Sequence, residues 1–143
     1  MGVTQKRRSE AGTSGQPRHV LMADDGSRGA ARARAFALML AATAGARLTV
    51  TYVREPTESP EEADRKLAAM RAAAAAAGVE FTAVIERPVG ITNAGRRIVA
   101  SARRHDADLI VLGARGSGLV HRLLGSVSSY VVSHAPVSVT VVR

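Results

Sequence analysis

The stretch 109-LIVLGARGSGLVHRLLGSVS-128 joins three kinds of sequence within twenty positions. An apolar run that ends at Leu112 is typical of a buried strand, and three glycines follow it within six residues, at 113, 116 and 118. The pair Gly125-Ser126 then opens a segment with a helical pattern. Such a segment either holds a phosphate or is only a tight strand-to-helix connection, and the sequence on either side bears on the choice.

Outside this stretch, short apolar runs alternate with helical patterns along the whole chain. Four strand-like runs are each followed by a helical segment, and the run 138-SVTVVR-143 closes the chain as a fifth strand. Alternation of this kind predicts a parallel sheet with helices on both faces. The fold class is therefore α/β, with a five-stranded, doubly wound, Rossmann-like parallel sheet.

Local signals mark where the helices begin and end. Ser59 with Glu62 predicts a capping box, with Pro60 at the first helical position. Gly45 is expected to end the first helix in left-handed conformation, and Gly78 is expected to end the second. The hydroxyl of Ser27 is expected to cap the first helix.

Length and composition set the organisation of the chain. Its 143 residues suit one domain. Residues 1–17 lack apolar periodicity and predict a disordered basic tail, which leaves residues 18–143 as the α/β domain. There is no cysteine, no apolar run long enough to span a membrane and no apolar leader at the N-terminus. A cytoplasmic protein with no membrane association is expected.

The formal net charge of +8 is carried almost entirely by arginines spread along the chain. Aromatic residues are only 3% of the chain, so stacking residues for a nucleic acid are scarce, and a nucleic-acid partner is disfavoured. A basic surface that attracts anionic ligands is favoured instead.

The polar residues do not form a pattern typical of an enzyme. The four histidines have no metal-site spacing, and no motif places a serine nucleophile beside a histidine. Four glutamates, Glu55, Glu58, Glu61 and Glu62, surround a helix start, where solvated acids are expected. No catalytic residue and no metal site are predicted.

Two of the strand ends carry residues suited to a ligand. Asp24 and Asp25 follow the first strand, and the glycine segment follows the fourth. Doubly wound sheets bind ligands at the carboxyl ends of strands, where the strand order reverses. A helix N-terminus at Gly125 and Ser126 offers free N–H groups and a positive dipole end to an anion, and Arg115 adds charge.

The glycine segment differs from two common nucleotide motifs. No lysine follows a glycine, as a Gly-Lys-Ser/Thr phosphate loop requires. The spacing Gly-x-x-Gly-x-Gly, placed after the fourth strand, is also not the dinucleotide fingerprint.

Two long stretches carry a resemblance to a known family. The sequence 108-DLIVLGARGSGLVHRLLGSVSSYVVSHAPVSVTVV-142 resembles the C-terminal part of universal stress proteins, and 19-HVLMADDGSRGAARARAFALMLAATAGARLTVTYV-53 resembles their first strand, helix and second strand. The resemblance covers residues 19–143. It implies strand order 3-2-1-4-5 and a homodimer, for which the C-terminal strand, Ser138 to Arg143, is the expected contact because an unblocked apolar edge invites pairing.

One branch of that family binds ATP through Gly-x2-Gly-x9-Gly-Ser/Thr. In this chain Gly113 and Gly116 match the first half and Gly125-Ser126 the second, but eight residues separate Gly116 from Gly125. The missing residue is either absorbed around residues 117–119, or it shifts Gly125 away from the phosphates. The favoured expectation is ATP as the ligand, alone or with Mg²⁺.

The resemblance also implies a role for individual positions. Asp25 would meet the adenine or ribose side, and Ala23 stands where ATP-binding members often have proline. Val53 and Leu112 would line the adenine pocket, and Ser126 and Val127 would donate backbone N–H groups to phosphate. The full set of expected ligand-binding residues is Ala23, Asp24, Asp25, Val53, Leu112, Gly113, Arg115, Gly116, Gly125, Ser126 and Val127.

Two functions remain open from the sequence. The first is a nucleotide-binding, stress-response regulatory protein with at most slow ATP hydrolysis. The second is a dimeric interaction module of the same fold that no longer binds ATP. The sequence does not identify a protein partner beyond a second copy of the chain.

Overall fold

The computed structural model describes residues 15–87, 91–114 and 124–143. Arg115, Gly116 and nearly all of the expected basic tail lie outside these residues. Five strands and four helices alternate along the chain: β1 (His19–Asp24), α1 (Ala31–Ala44), β2 (Arg47–Val53), α2 (Pro60–Ala76), β3 (Phe81–Glu86), α3 (Ile91–Arg104), β4 (Leu109–Gly113), α4 (Ser126–His134) and β5 (Ser138–Val142).

The five strands form one parallel sheet in the order β3-β2-β1-β4-β5. This confirms the expected fold class and strand order. β1 is the central strand, and all six of its residues are buried. Its neighbours are β2 on one side and β4 on the other. The chain adds β2 and β3 on one side of β1 and then β4 and β5 on the other, so the strand order reverses between β1 and β4.

Successive residues of β1 point into two separate cores, as the two-residue period of a strand requires. Val20 and Met22 pack with α1 and α2 on one face, in a core filled largely by alanines of those helices. Leu21 packs with α3 and α4 on the other face, where Ile98, Val99 and Ala102 are buried.

The helix ends confirm two of the three local expectations. The Ser59–Glu62 capping box is present, with Pro60 at the first position of α2. Gly45 and Gly78 have φ values of +65° and +69° at the ends of α1 and α2. The expectation for Ser27 is wrong: a 3-10 turn over Arg28–Ala30 precedes α1, and the Ser27 side chain makes no capping hydrogen bond.

Within residues 15–87, 91–114 and 124–143, no helix combines the length and apolar character needed to cross a membrane.

Candidate functional site

The carboxyl ends of β1 and β4 lie side by side, which places the two segments singled out in the sequence against each other. The register pairs Met22 with Val111, so Ala23 and Leu112 come next on their strands, and both are buried. Val53 ends β2 on the other side of β1 and is half-buried. The structure therefore brings these three expected ligand-binding positions to one edge of the sheet, at the switch point.

The Asp24 carboxylate is hydrogen-bonded to other residues of this chain. Its side chain is buried, and Arg34 on α1 donates to both carboxylate oxygens, at 2.7 and 3.1 Å. The backbone N–H of Gly26 donates to the same carboxylate, at 2.8 Å. Arg34 also donates to the Ser27 carbonyl, at 2.9 Å. The hydrogen bond to Asp24 raises the pKa of Arg34, so this pair ties the β1–α1 loop to the helix as a fixed ion pair.

Asp25 is exposed at the tip of the same loop. One carboxylate oxygen accepts a hydrogen bond from the N–H of Ser27, at 2.9 Å, which is an Asx turn. This hydrogen bond holds the Asp25 side chain just beyond the carboxyl end of β1, beside the switch point. Asp25 is therefore a turn residue, and its exposed position after β1 is compatible with the ligand contact that the resemblance implies.

A buried hydrogen-bonded network supports this loop from beneath. The hydroxyl of Tyr52, a side chain 1% exposed at the end of β2, donates to the Glu58 carboxylate at 2.9 and 3.0 Å. Lys66 on α2 lies 2.7 Å from the same carboxylate. Gly26, with a φ of +73°, lies against the hydroxyl end of the Tyr52 side chain. The β1–α1 loop thus packs on a tyrosine whose hydroxyl is bonded to the carboxylate of the Glu58–Lys66 ion pair.

The ionisation of this network follows from its burial. Burial, and then the hydrogen bond to Glu58, raise the pKa of Tyr52 to about 12. Burial alone would raise the pKa of Glu58, but hydrogen bonds from Lys66 and Tyr52 outweigh it and lower the pKa. The expectation that Glu58 is solvated is wrong, because its carboxylate is buried and takes part in tertiary packing.

The first half of the glycine segment continues the sheet. Gly113 is the last residue of β4 and pairs with Val142 of β5. The N–H of Ala114 donates to the Val142 carbonyl, at 2.9 Å. The backbone of Gly113 does not have the positive φ found at Gly26, so no unusual backbone conformation requires a glycine at residue 113.

The second half opens α4, as expected. Gly125 is the N-cap residue with extended backbone, and Ser126 is the first helical residue. Ser126 is exposed, whereas Val127 is half-buried against the second core. The positive end of a nine-residue helix therefore faces outward at the end of β4, with the Ser126 hydroxyl beside it.

Three residues that build this site were missed in the sequence. Arg34 and Tyr52 support the β1–α1 loop, and Ser128 on α4 donates to the Ala114 carbonyl, at 2.8 Å. Arg34 has a weak signal, since it is an arginine beside the buried stripe of an alanine-rich helix. Tyr52 and Ser128 have none, because their partners are set by the sheet and not by local spacing.

In the part of the chain that the structure describes, no group of three histidine, aspartate or glutamate side chains could hold a metal ion.

An open cavity of about 450 Å³ lies at the start of α2, lined by Glu55, Thr57, Glu58, Glu62, Arg65 and Lys66. Its lining includes no residue of β1, β4 or α4, so it is separate from the switch point.

These features define a doubly wound α/β protein whose candidate ligand site lies at a topological switch point. The chain belongs to the universal stress protein family, whose family model matches residues 17–143.

Individual relatives agree with this assignment. A universal stress protein of Thermus aquaticus is 38% identical over 134 residues, covering 87% of this chain and 97% of that protein. The Synechocystis universal stress protein Sll1388 is 49% identical over 59 residues, but the match covers 41% of this chain and 38% of that protein.

A solved structure extends the likeness to a ligand-bound protein. A universal stress protein crystallised in complex with cAMP is 25% identical, covers 90% of this chain and 98% of that chain, and has a TM-score of 0.70.

Proposed function

We propose that this chain is a regulatory protein that binds ATP at the switch point between β1 and β4. The observation that carries the proposal is the placement of α4. Its N-terminus is held at the end of β4 with Ser126 exposed, so N–H groups, a hydroxyl and the helix dipole all face a position where a polyphosphate would lie.

The opposite side of the same edge suits a nucleoside. Ala23, Val53 and Leu112 give it apolar walls, and the exposed carboxylate of Asp25 stands at its mouth. Carboxylates at such sites accept hydrogen bonds from ribose hydroxyls. Asp24 contributes indirectly, through its bonds to Arg34 and Gly26.

We propose binding rather than rapid turnover. In the described residues at this edge, the candidate acids are Asp24, whose carboxylate is paired with Arg34, and Asp25, whose carboxylate closes an Asx turn. The Asp24 carboxylate is buried and paired with Arg34, so it is not available to activate a water, and the exposed Asp25 carboxylate is the one that we assign to the ribose.

The test of ATP binding is the variant Ser126→Asp. A carboxylate at the first position of α4 is favourable for the helix dipole but repels a phosphate at the same place. Ser133→Asp is the matched control, because it adds the same charge at an exposed position in the last turn of the same helix. Calorimetric titration with ATP, with and without Mg²⁺, should show binding for the parent and for Ser133→Asp and at least a tenfold loss for Ser126→Asp.

A parent protein that shows no heat with ATP and releases no adenine nucleotide on denaturation would contradict this proposal. The alternative function, an interaction module without ATP, would then be favoured. Equal affinity of Ser126→Asp and Ser133→Asp would place the phosphates away from α4.

We also propose that two copies pair through β5. This strand ends the sheet and pairs with β4 on one side, and its side chains from Val139 to Val142 are partly exposed. An edge strand of β-branched residues is a template for another strand. Antiparallel pairing about a two-fold axis would give a closed dimer.

A further inference from the structure

The hydroxyl of Ser128 is buried under the start of α4, where it contacts both ends of the glycine segment. Ser128 is 3% exposed and donates to the Ala114 carbonyl, at 2.8 Å, with the Gly125 carbonyl 3.0 Å away. We propose that Ser128 is a positioning residue that sets which N–H groups of α4 face a bound phosphate, an inference that rests on the ATP binding proposed above.

The carbonyl of Ala114 is the anchor for the start of α4. It accepts the N–H of Gly125, at 2.8 Å, and the hydroxyl of Ser128, at 2.8 Å. A carbonyl oxygen has two lone pairs, and both are filled by these two donors. Because the Ala114 N–H is bonded to Val142, the anchor is itself fixed to the sheet.

This arrangement divides the donors at the start of α4. The N–H of Gly125 points back to Ala114 and is occupied, so it is not available to a ligand. The next N–H groups, of Ser126, Val127 and Ser128, belong to the first helical turn and have no intrahelical acceptor. A phosphate therefore meets the N–H groups of the first helical turn, beginning at Ser126, and not that of Gly125, and the Ser128 hydroxyl holds the helix in the orientation that presents them.

The same contact bears on the short spacing of the motif. Ala114 and Gly125 are joined by a direct hydrogen bond although ten residues separate them. The change in loop-closure entropy on removing one residue from a loop of this length is small. The eight-residue spacing between Gly116 and Gly125 is thus compatible with the start of α4 seated on β4, and Ser128 is the side chain that adds to this closure.

The experiment compares Ser128→Ala with Ser129→Ala, which removes an exposed hydroxyl from the neighbouring position of α4. Titrations with ATP and with adenosine separate the phosphate half of the site from the nucleoside half. Ser128→Ala should weaken ATP binding roughly tenfold and adenosine binding less than twofold, whereas Ser129→Ala should change neither. Ser128→Thr, which keeps the hydroxyl, should recover most of the ATP affinity.

A purely structural role would lower the unfolding temperature of Ser128→Ala and weaken both ligands equally, and that result would overturn the inference. Unchanged ATP affinity in Ser128→Ala would overturn it as well. If the parent itself does not bind ATP, the proposed function fails and not this step alone.

A measurement on the parent protein keeps the inference testable if Ser128→Ala does not fold. Addition of ATP should shift the amide NMR signals of Ser126 and Val127 strongly, and the Gly125 amide should stay protected from hydrogen exchange in both states. A Gly125 amide that exchanges freely without ATP, or shifts most with it, would overturn the inference.

Discussion

The α-carbon of Gly26 lies against the hydroxyl of Tyr52, so closely that a β-carbon at residue 26 would overlap the phenol oxygen. Gly26 also has a φ of +73°, which residues with a side chain rarely adopt. Tyr52 cannot move aside cheaply, because it is buried and its hydroxyl is bonded to Glu58. The loop after β1 is therefore shaped by a residue at the end of β2.

Gly26→Ala should destabilise the protein by about 2–4 kcal/mol, through left-handed backbone strain and overlap with Tyr52. In a Tyr52→Phe background the overlap with the oxygen is gone, so the same substitution should cost only about 1–2 kcal/mol. Urea unfolding of the four proteins in this double-mutant cycle measures the difference. Equal costs in both backgrounds would show that Tyr52 does not restrict residue 26.

The Asp24–Arg34 pair gives a second prediction. Arg34→Met leaves the Asp24 carboxylate buried without its cation, and this should cost about 3 kcal/mol of unfolding free energy. The double variant Asp24→Val with Arg34→Met removes both charges and should be more stable than Arg34→Met alone. Arg32→Met, at an exposed position of the same helix, is the control and should change stability by less than about 0.5 kcal/mol. Additive losses in the double variant would contradict this account.

The sequence predicted what local patterns determine. The strand order came from the family resemblance, and the capping box at Ser59 and the left-handed Gly45 follow from residues within one turn of each other. The Gly26–Tyr52 contact and the Glu58 carboxylate depend on which strands become neighbours. No local spacing encodes such contacts, so Glu58 had the pattern of a solvated acid although it is buried.

The candidate site, like the fold, could be predicted only in part from the sequence. The family resemblance implied that the ends of β1 and β4 would meet, and the structure confirms that the two strands are neighbours. The burial of Asp24 under Arg34, and the double use of the Ala114 carbonyl, required the packing of helices on the sheet. The expected roles of Arg115 and Gly116 stay predictions, since both lie outside the described residues.

The burial of His19 predicts that the free energy of unfolding falls in acid. Its side chain is buried at the start of β1, with its ring 2.7 Å from the Thr49 hydroxyl. Burial, and then the charge of Arg47, lower its pKa below the usual 6.5. The unfolded chain therefore binds a proton at His19 below about pH 6.5 while the folded chain does not, so stability falls as the pH drops from there to the folded pKa.

Urea unfolding between pH 7 and pH 5 measures this effect. The slope that belongs to His19 is at most about 1.4 kcal/mol per pH unit, and it should disappear in His19→Gln. His134→Gln, at an exposed position of α4, is the control and should keep the slope of the parent. The same pH dependence in the parent and in His19→Gln would assign the acid loss to other groups.

The last prediction concerns the exposed edge of β5. The Val142 carbonyl accepts the N–H of Ala114, so the backbone of Val142 faces β4. Backbone groups alternate in direction along a strand, so those of Val139 and Val141 face the open edge. Proline at residue 139 therefore removes a donor from that edge and leaves the hydrogen bonds to β4 in place, as is tolerated in edge strands. A partner strand paired antiparallel to β5 would lose one or more bonds and meet the proline ring.

Sedimentation should accordingly show a dimer for the parent, a dimer for Val139→Ala, and a monomer for Val139→Pro. The alanine variant is the matched control, since it shortens the same side chain but keeps the N–H. Circular dichroism should show the same helix content in all three proteins, because neither substitution removes a hydrogen bond between β5 and β4. A parent that stays monomeric at high concentration, or a Val139→Pro dimer of unchanged affinity, would place the contact between copies elsewhere.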